Sequence, residues 1–251
     1  MRNRYSLGEK MAATPDRSTG REPDVDRLIE ELKTAGNPDH LPGMARYGID
    51  VERAFGVRIP VIRELAGKIR QDHSLALRLW QTGIHEARIL AGMIADPDRC
   101  TRKFARAWIR DFRSWDLCDQ TVMNLLEKCP QAWEWALRWA PRENQWFRRT
   151  GFVLMARLAV SDKQAGNRRF DPFFPLIRHC ADDDRNLVKK AVNWALRQMG
   201  KRNLALHEKC VRLAEELQQR DSPAARWIAR DALRELKSDK IVTRLQKKRK
   251  V

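Results

Sequence analysis

Residues 188–198 read VKKAVNWALRQ, and the pattern of this stretch occurs twice more along the chain. Its first four residues correspond to FRRT at 147–150, 41 residues earlier, and to ARWI at 225–228, 37 residues later. Each copy begins with a small or apolar residue and one or two basic ones, and an apolar stripe follows. A period near 40 residues is typical of HEAT-type helical pairs, which stack into a curved solenoid. The repeat therefore predicts a solenoid of antiparallel helix pairs.

The remainder of the chain supports the same fold. Apolar side chains recur with helical spacing from Leu28 to Leu236, and the stripes are interrupted at glycine and proline positions. No stretch shows the alternation of a half-buried strand. We therefore predict an all-α protein with a single solenoid domain at 24–236, a disordered polar leader at 1–23 and a basic C-terminal tail at 237–251.

The charge of the chain indicates a polyanionic partner. Of the formal net charge of +17, residues 1–23 contribute +2 and residues 244–250 contribute +5, so that 24–243 retains +10. Nucleic acid is the usual partner of a folded domain with such an excess, although an anionic membrane surface or an acidic protein also fits. If equivalent positions of successive repeats share one concave face, their Arg and Lys side chains form a stripe that follows backbone phosphates.

Several protein classes are disfavoured by the same composition. The chain has 43% hydrophobic residues and nine tryptophans, enough for a sizeable core. It has no run approaching the ~20 apolar residues of a membrane span and no signal-peptide pattern at its start. The five cysteines are scattered without a CxxC pair and the five histidines are spread out. We therefore expect reduced thiols, no metal site and a cytoplasmic location. The sequence carries no signal for the oligomeric state, and we assume a monomer.

The stretch SWDLCDQTV at 114–122 contains the most informative carboxylate. Asp116 is explained as a first-turn acid behind a Ser114 N-cap. Asp119 lies deeper, four residues after Trp115 and on the same helix face. Two interpretations are open: Asp119 is a buried structural carboxylate paired with an arginine of the next repeat, such as Arg149, or it faces a ligand.

Four segments, in order, resemble the bacterial DNA alkylation repair glycosylases of the AlkD type. They are MARYGI (44–49), SWDLCD (114–119), NQWFRRTG (144–151) and VKKAVNWALRQ (188–198), and the resemblance extends from about residue 25 to about residue 235. It implies an all-helical HEAT-like solenoid that excises N3- and N7-alkylated purines from double-stranded DNA without metal or cofactor. The chain departs from the family at 48–65, GIDVERAFGVRIPVIREL, where an aromatic-rich segment is expected, which affects the choice of lesion more than the fold.

The resemblance also implies roles for individual residues. Trp115, Asp119, Arg149 and Trp194 correspond to the side chains that surround the damaged nucleotide. Because Arg148 precedes Arg149 directly, either arginine can correspond to the phosphate contact. A further contact with DNA is expected from Arg197 of the last segment. Because basic residues recur at corresponding positions of the repeats, contacts are also expected from Lys189 and Lys190.

The chemistry of the lesion is consistent with these residue types. A purine alkylated at N3 or N7 is cationic and leaves as a neutral base, so that one carboxylate, Asp119, suffices to stabilise the oxocarbenium-like sugar and position water. The indoles of Trp115 and Trp194 would add cation–π attraction of roughly 0.5–2 kcal/mol each. Two alternatives remain: a nucleic-acid-binding solenoid without catalysis, in which Asp119 is structural, and an interaction scaffold for an acidic protein.

Overall fold

The computed structural model describes residues 25–249, and in this range it contains fourteen α-helices and no strand. The all-α prediction is confirmed; the predicted leader at 1–23 lies outside the described residues. The helices are α1 (Val25–Thr34), α2 (Leu41–Arg46), α3 (Ile59–Ile69), α4 (His73–Gln81), α5 (His85–Ile94), α6 (Arg102–Arg110), α7 (Trp115–Asn124), α8 (Ala132–Trp139), α9 (Gln145–Ser161), α10 (Phe173–Cys180), α11 (Asn186–Gly200), α12 (Leu204–Gln218), α13 (Pro223–Leu236) and α14 (Asp239–Arg249).

Five helices form a continuous layer in the order of the chain. Helix α5 packs against α7, α7 against α9, α9 against α11 and α11 against α13. A second set pairs with this layer, because α4 packs on α5, α8 on α9, α10 on α11 and α12 on α13. Short connections join the partners of each pair, and the pairs stack as repeats. The predicted HEAT-like solenoid is confirmed.

Local capping explains where several of these helices begin. The Asn144 side chain accepts hydrogen bonds from the N–H groups of Trp146 and Phe147 at the start of α9, and Thr101 caps α6 in the same way. Ser114 precedes α7 in an extended conformation, but its hydroxyl makes no capping hydrogen bond. The first turn of α7 therefore depends on its packing and on Asp116.

Charged side chains connect successive repeats at sequence separations of 30 to 38 residues. The pairs are Asp119–Arg149 and Glu127–Arg157 at 30 residues, Arg148–Asp183 at 35, and Arg178–Glu216, Asp171–Lys209, Asp182–Arg220 and Arg197–Glu235 at 38. Part of the basic periodicity in the sequence thus encodes contacts between repeats. The guanidinium groups of Arg148, Arg149 and Arg197, which the predicted stripe includes, are held by carboxylates in this structure; their place in the stripe stays a prediction.

A glycine in the interior of α9 permits close packing within a repeat. Gly151 lies opposite the end of α8, and a Cβ atom at this position would be 2.3 Å from the backbone nitrogen of Ala140. Glycine in a helix interior costs roughly 1 kcal/mol relative to alanine. The short distance between the two backbones explains why it is tolerated here.

One buried carboxylate fixes the connection between α2 and α3. The Glu86 side chain is 0% exposed, and its oxygens accept hydrogen bonds from the backbone N–H groups of Phe55, Gly56 and Val57 at 2.8–3.2 Å. These donors would otherwise be buried without a partner. Glu86 therefore attaches the N-terminal segment to α5, a role that the sequence did not indicate.

Part of the C-terminal segment forms a helix. Within the predicted tail at 237–251, α14 packs against α12 and α13, and Ile241 and Leu245 are buried. In the part of the chain from 25 to 249, no helix combines the length and the apolar character needed to cross a membrane.

Replacing Glu86 with glutamine should destabilise the fold. The amide keeps the shape but turns an N–H₂ group toward backbone donors, and we expect a loss of about 1–3 kcal/mol in the free energy of unfolding. Urea denaturation measures the change. Glu134→Gln is the control, because Glu134 forms an exposed ion pair with Arg138 and should cost no more than about 0.5 kcal/mol. Equal stability of the two variants would contradict the role of Glu86.

Candidate active site

Asp119 and Arg149 form a buried ion pair between α7 and α9. The Arg149 Nε donates to Asp119 Oδ1 at 3.1 Å and Nη2 donates to Oδ2 at 2.8 Å. The two residues are only 7% and 5% exposed. A bidentate guanidinium–carboxylate pair with little solvent around it is strongly oriented, and removing one partner of such a pair costs about 3–5 kcal/mol.

A third hydrogen bond extends this pair to the next repeat. The Nη1 of Arg149 donates to the backbone oxygen of Leu187, in the first turn of α11, at 2.6 Å. Arg149 thereby joins α7, α9 and α11. The interpretation of Asp119 as the partner of an arginine from the next repeat describes its observed contacts, and in this state Arg149 directs its three donor groups into the protein.

Trp115 lies beside the pair, as the i, i+4 spacing predicts. The Cζ of Arg149 is 6.0 Å from the centre of the Trp115 ring, near the limit of cation–π attraction. The indole Nε1 donates to the backbone oxygen of Tyr47 at 2.9 Å. Because Tyr47 is 68% exposed, the outer edge of this cluster is formed by the segment after α2. We call Trp115, Asp119 and Arg149 the Asp119 cluster.

The titration of Asp119 reflects opposing effects. Burial raises the pKa of Asp119 to about 6, against the charge and hydrogen bonds of Arg149, which lower it. The neighbouring carboxylate of Asp116 adds a smaller upward contribution. Asp119 is therefore mostly ionised at pH 7 and takes up a proton under mildly acidic conditions.

Trp194 is not part of this cluster. It lies on α11 two turns beyond Leu187, is half-buried and packs against the hydrophobic core. Among the described residues, no hydrogen bond or ring contact connects it to Trp115, Asp119 or Arg149. The structure thus brings together three of the four residues that the resemblance places around the nucleotide.

The other predicted DNA contacts fall into two groups. Arg148 donates to Asp183 at 2.6 Å, and Arg197 donates to Asp231 at 3.0 Å and to Glu235. Lys189 is half-buried, with its Nζ 5.1 Å from the centre of the Trp227 ring. Lys190 is exposed, and its side chain makes no hydrogen bond or ion pair within residues 25–249. The lysines are therefore better placed than the arginines to meet phosphate.

Sequence reasoning missed the His85–Asp116 pair. His85 Nε2 lies 2.8 Å from Asp116 Oδ2 and connects α5 with α7. Burial opposes both charged forms, but the hydrogen bond and the opposite charges outweigh it: the pKa of His85 is raised and the pKa of Asp116 is lowered. His85 and Asp116 are 31 residues apart, which is close to the separation of the other pairs between repeats. This spacing is the sequence feature from which the pair could have been predicted.

The repeats and the Asp119 cluster define a HEAT-like helical-repeat protein with a carboxylate beside an indole and a guanidinium. Comparison with protein families identifies the group: residues 28–236 match the model of the DNA alkylation repair enzyme family, and the chain belongs to this family. The resemblance inferred from the four sequence segments is confirmed.

A similar solved structure supports the fold. It is described as "a new family of proteins related to the HEAT-like repeat DNA glycosylases with affinity for branched DNA structures". The two chains share 23% sequence identity with a TM-score of 0.72, and the match covers 84% of this chain and 95% of the other. A comparison with curated proteins gives no significant match.

The His85–Asp116 pair should make stability depend on pH. A raised histidine pKa contributes stability below its unfolded value of about 6.5, and this contribution is lost as pH rises through the folded pKa. The lowered pKa of Asp116 contributes stability at pH values above the pKa of the unfolded chain. This stability is lost as the pH falls through the pKa of the folded protein. We therefore expect Asp116→Asn to lower the melting temperature more at pH 5.5 than at pH 8.5.

Thermal denaturation of both proteins at the two pH values measures this difference. Because Asp119 titrates in both proteins, its effect largely cancels in the comparison. Asp111→Asn, which alters the hydrogen bond from the Trp80 indole, is the control and should show no comparable pH dependence. An equal loss from Asp116→Asn at both pH values would mean that the pair is not charged.

Proposed function

We propose that this protein is a monofunctional DNA glycosylase that excises cationic N3- and N7-alkylated purines from double-stranded DNA. The Asp119 cluster carries the proposal, because it places an oriented carboxylate beside an indole face. Membership of the DNA alkylation repair enzyme family and a net charge of +17 support DNA as the substrate.

The proposed reaction is hydrolysis of the N-glycosidic bond. The bond between C1′ and the purine N9 breaks, and its electron pair neutralises the cationic base. The oxygen of a water molecule then bonds to C1′ and its proton leaves to Asp119 or to solvent. Asp119 acts through its negative charge on the developing oxocarbenium ion and by orienting the water. No acid is required for a leaving group that departs neutral.

The closed ion pair implies a step before the chemistry. With both Asp119 oxygens bound to Arg149, the net charge of the pair is near zero and its effect on a nearby cation is weak. A DNA phosphate is a competing bidentate partner for a guanidinium group. We propose that phosphate binding draws Arg149 away from Asp119, so that the carboxylate acquires its full charge only when the substrate is in place.

Trp115, Trp194 and the two lysines complete the proposed site. The hydrogen bond to Tyr47 holds the Trp115 indole in position beside the sugar. Trp194 would form a second wall only if the bound nucleotide extends along α11. Lys189 and Lys190, at the start of α11, would bind the phosphates that flank the lesion.

A second candidate function is DNA binding without base excision. The observation that favours it is the burial of Asp119, which is 7% exposed and fully engaged by Arg149. The similar solved structure, whose description includes affinity for branched DNA, is compatible with such a role. Release of a damaged base distinguishes the two candidate functions.

Base release from a duplex containing one 7-methylguanine tests the proposal. We expect release by the wild type and a loss of about 10²–10³-fold in Asp119→Asn, because a preorganised charge at the reacting centre is removed. Glu127→Gln is the matched control, since it breaks another carboxylate–arginine pair at the same separation. The control should release base within about threefold of the wild type, in line with the modest effects of substitutions outside a site.

Two outcomes would contradict catalysis by Asp119. Equal losses in Asp119→Asn and Glu127→Gln would mean that both carboxylates are structural. Tight, salt-sensitive binding of the duplex without release by the wild type would favour DNA binding alone.

The rate of release should also depend on pH. With a pKa of about 6, Asp119 is ionised at pH 7.5 and largely protonated at pH 5. Single-turnover release should therefore be about tenfold slower at pH 5 than at pH 7.5. The measurement subtracts release in the absence of protein and uses protein in excess of DNA but below Kd, so that the rate reports the ionisation of the free protein. A flat profile would show that the ionisation of Asp119 does not control the reaction.

A further inference from the structure

The exposed face of α6 carries basic charge only. Arg102, Lys103, Arg106 and Arg110 are all exposed, and no acidic residue occurs between Asp98 and Asp111. Within the described part of the chain, none of these four side chains makes a hydrogen bond or an ion pair. Most arginines of the inner helix layer, in contrast, are held by carboxylates. The α6 face is thus not explained by contacts between repeats.

A groove of about 560 Å³ lies between α6 and the connection from α8 to α9. We call it the arginine groove; its principal lining residues are Arg102, Arg106, Arg138, Trp139, Arg142 and Phe147. Arg138 is paired with Glu134, whereas Arg142 is exposed and its side chain has no partner among the described residues. Glu143 is the single acidic side chain in the lining.

The floor of the arginine groove is apolar. The rings of Trp139 and Phe147 meet edge to face with their centres 6.1 Å apart, and Trp139 is 2% exposed. A cleft with low-dielectric walls and charges of one sign focuses the electrostatic potential. Arg102, Arg106 and Arg142 repel one another in this setting, and an anion that contacts several of them relieves the repulsion.

The positions of the arginines suit a polymer of phosphates. Arg102 and Arg106 are one helical turn apart, about 6 Å along α6. Long arginine side chains at this spacing can reach neighbouring phosphates of one DNA strand. Arg142 contributes the third positive charge from a different element. An extended row of this kind suits a nucleic-acid backbone better than a single small anion.

The arginine groove is separate from the Asp119 cluster. Phe147 faces the groove, while Arg149, two residues later on α9, contacts Asp119. Two residues correspond to a rotation of about 200° around a helix, so the groove and the cluster lie on different sides of the first turns of α9. A DNA contact in the groove therefore involves nucleotides other than the one that meets Asp119.

We propose that the arginine groove binds the sugar–phosphate backbone of DNA. This inference shares DNA as a ligand with the proposed function but does not require base excision. None of the predicted site residues lies on α6. The proposal gives the positive face of α6 the role of binding DNA outside the reacting nucleotide.

The test compares two variants that lose the same charge. The groove variant is Arg102→Gln/Arg106→Gln/Arg142→Gln. The control variant is Arg63→Gln/Arg168→Gln/Arg212→Gln, which removes three exposed arginines from other elements. Fluorescence anisotropy with an undamaged 30-base-pair duplex gives Kd at several salt concentrations. Undamaged DNA keeps the result independent of catalysis, so failure of the excision proposal does not affect it.

The groove variant should show a lower salt dependence and weaker binding. Each lost phosphate contact reduces the slope of log Kd against log salt by about 1, so we expect a decrease of 2 to 3. The Kd at 100 mM salt should rise by about tenfold or more, and by no more than about threefold in the control variant. Circular dichroism checks the folding of each variant. Arg142→Gln alone removes one arginine from a connection between helices, and we expect it to lower the slope by about a third as much as the groove variant does.

Two results would overturn the proposal. Equal weakening by the groove and control variants would mean that binding follows net charge without a local site. The second result is a groove variant that binds DNA as the wild type does but no longer sediments with phosphatidylserine–phosphatidylcholine vesicles. This result would mean that the groove binds a membrane surface instead of DNA.

Discussion

The ion pair of Asp119 with Arg149 is the interaction on which both the solenoid and its candidate chemistry depend. The guanidinium group donates to both carboxylate oxygens and to the Leu187 oxygen, so one side chain connects three consecutive helices of the inner layer. Little water reaches this position, and opposite charges attract more strongly there than at the surface. The same atoms thus stabilise the repeats and supply the carboxylate of the proposed reaction, in which a substrate phosphate competes for the group that holds the repeats together.

The other inter-repeat pairs determine where positive charge remains available. Arg148, Arg157 and Arg197 are neutralised by acids one repeat away, so they contribute little to the field outside the protein. Basic groups without such partners, above all those on α6 and Lys190 on α11, create the external potential. The positive excess of the described residues therefore acts at particular surfaces, and a count of basic residues per repeat does not reveal which ones.

The N-terminal segment contributes to the site although it lies outside the inner layer. Glu86 holds the backbone at 55–57, and the Tyr47 oxygen accepts the hydrogen bond from Trp115. The position of the indole therefore depends on residues 41–57. This region overlaps the stretch at 48–65 in which the sequence departs from the resembling family, so that departure falls at the edge of the site.

The all-α class, the repeat near 40 residues and the pairing of Trp115 with Asp119 on one helix face were determined by the sequence alone, because helical periodicity and i, i+4 spacing are local properties. The sequence also contained both interpretations of Asp119. Only the tertiary structure decided that Arg149, Arg148 and Arg197 are held by carboxylates, that Trp194 lies apart from the cluster, and that Glu86 and His85 have structural partners. The reason is physical. The partner of each charged side chain lies 30 to 38 residues away in the sequence, and the stacking of the repeats determines which opposite charge lies within hydrogen-bonding distance. Local sequence patterns do not specify this stacking.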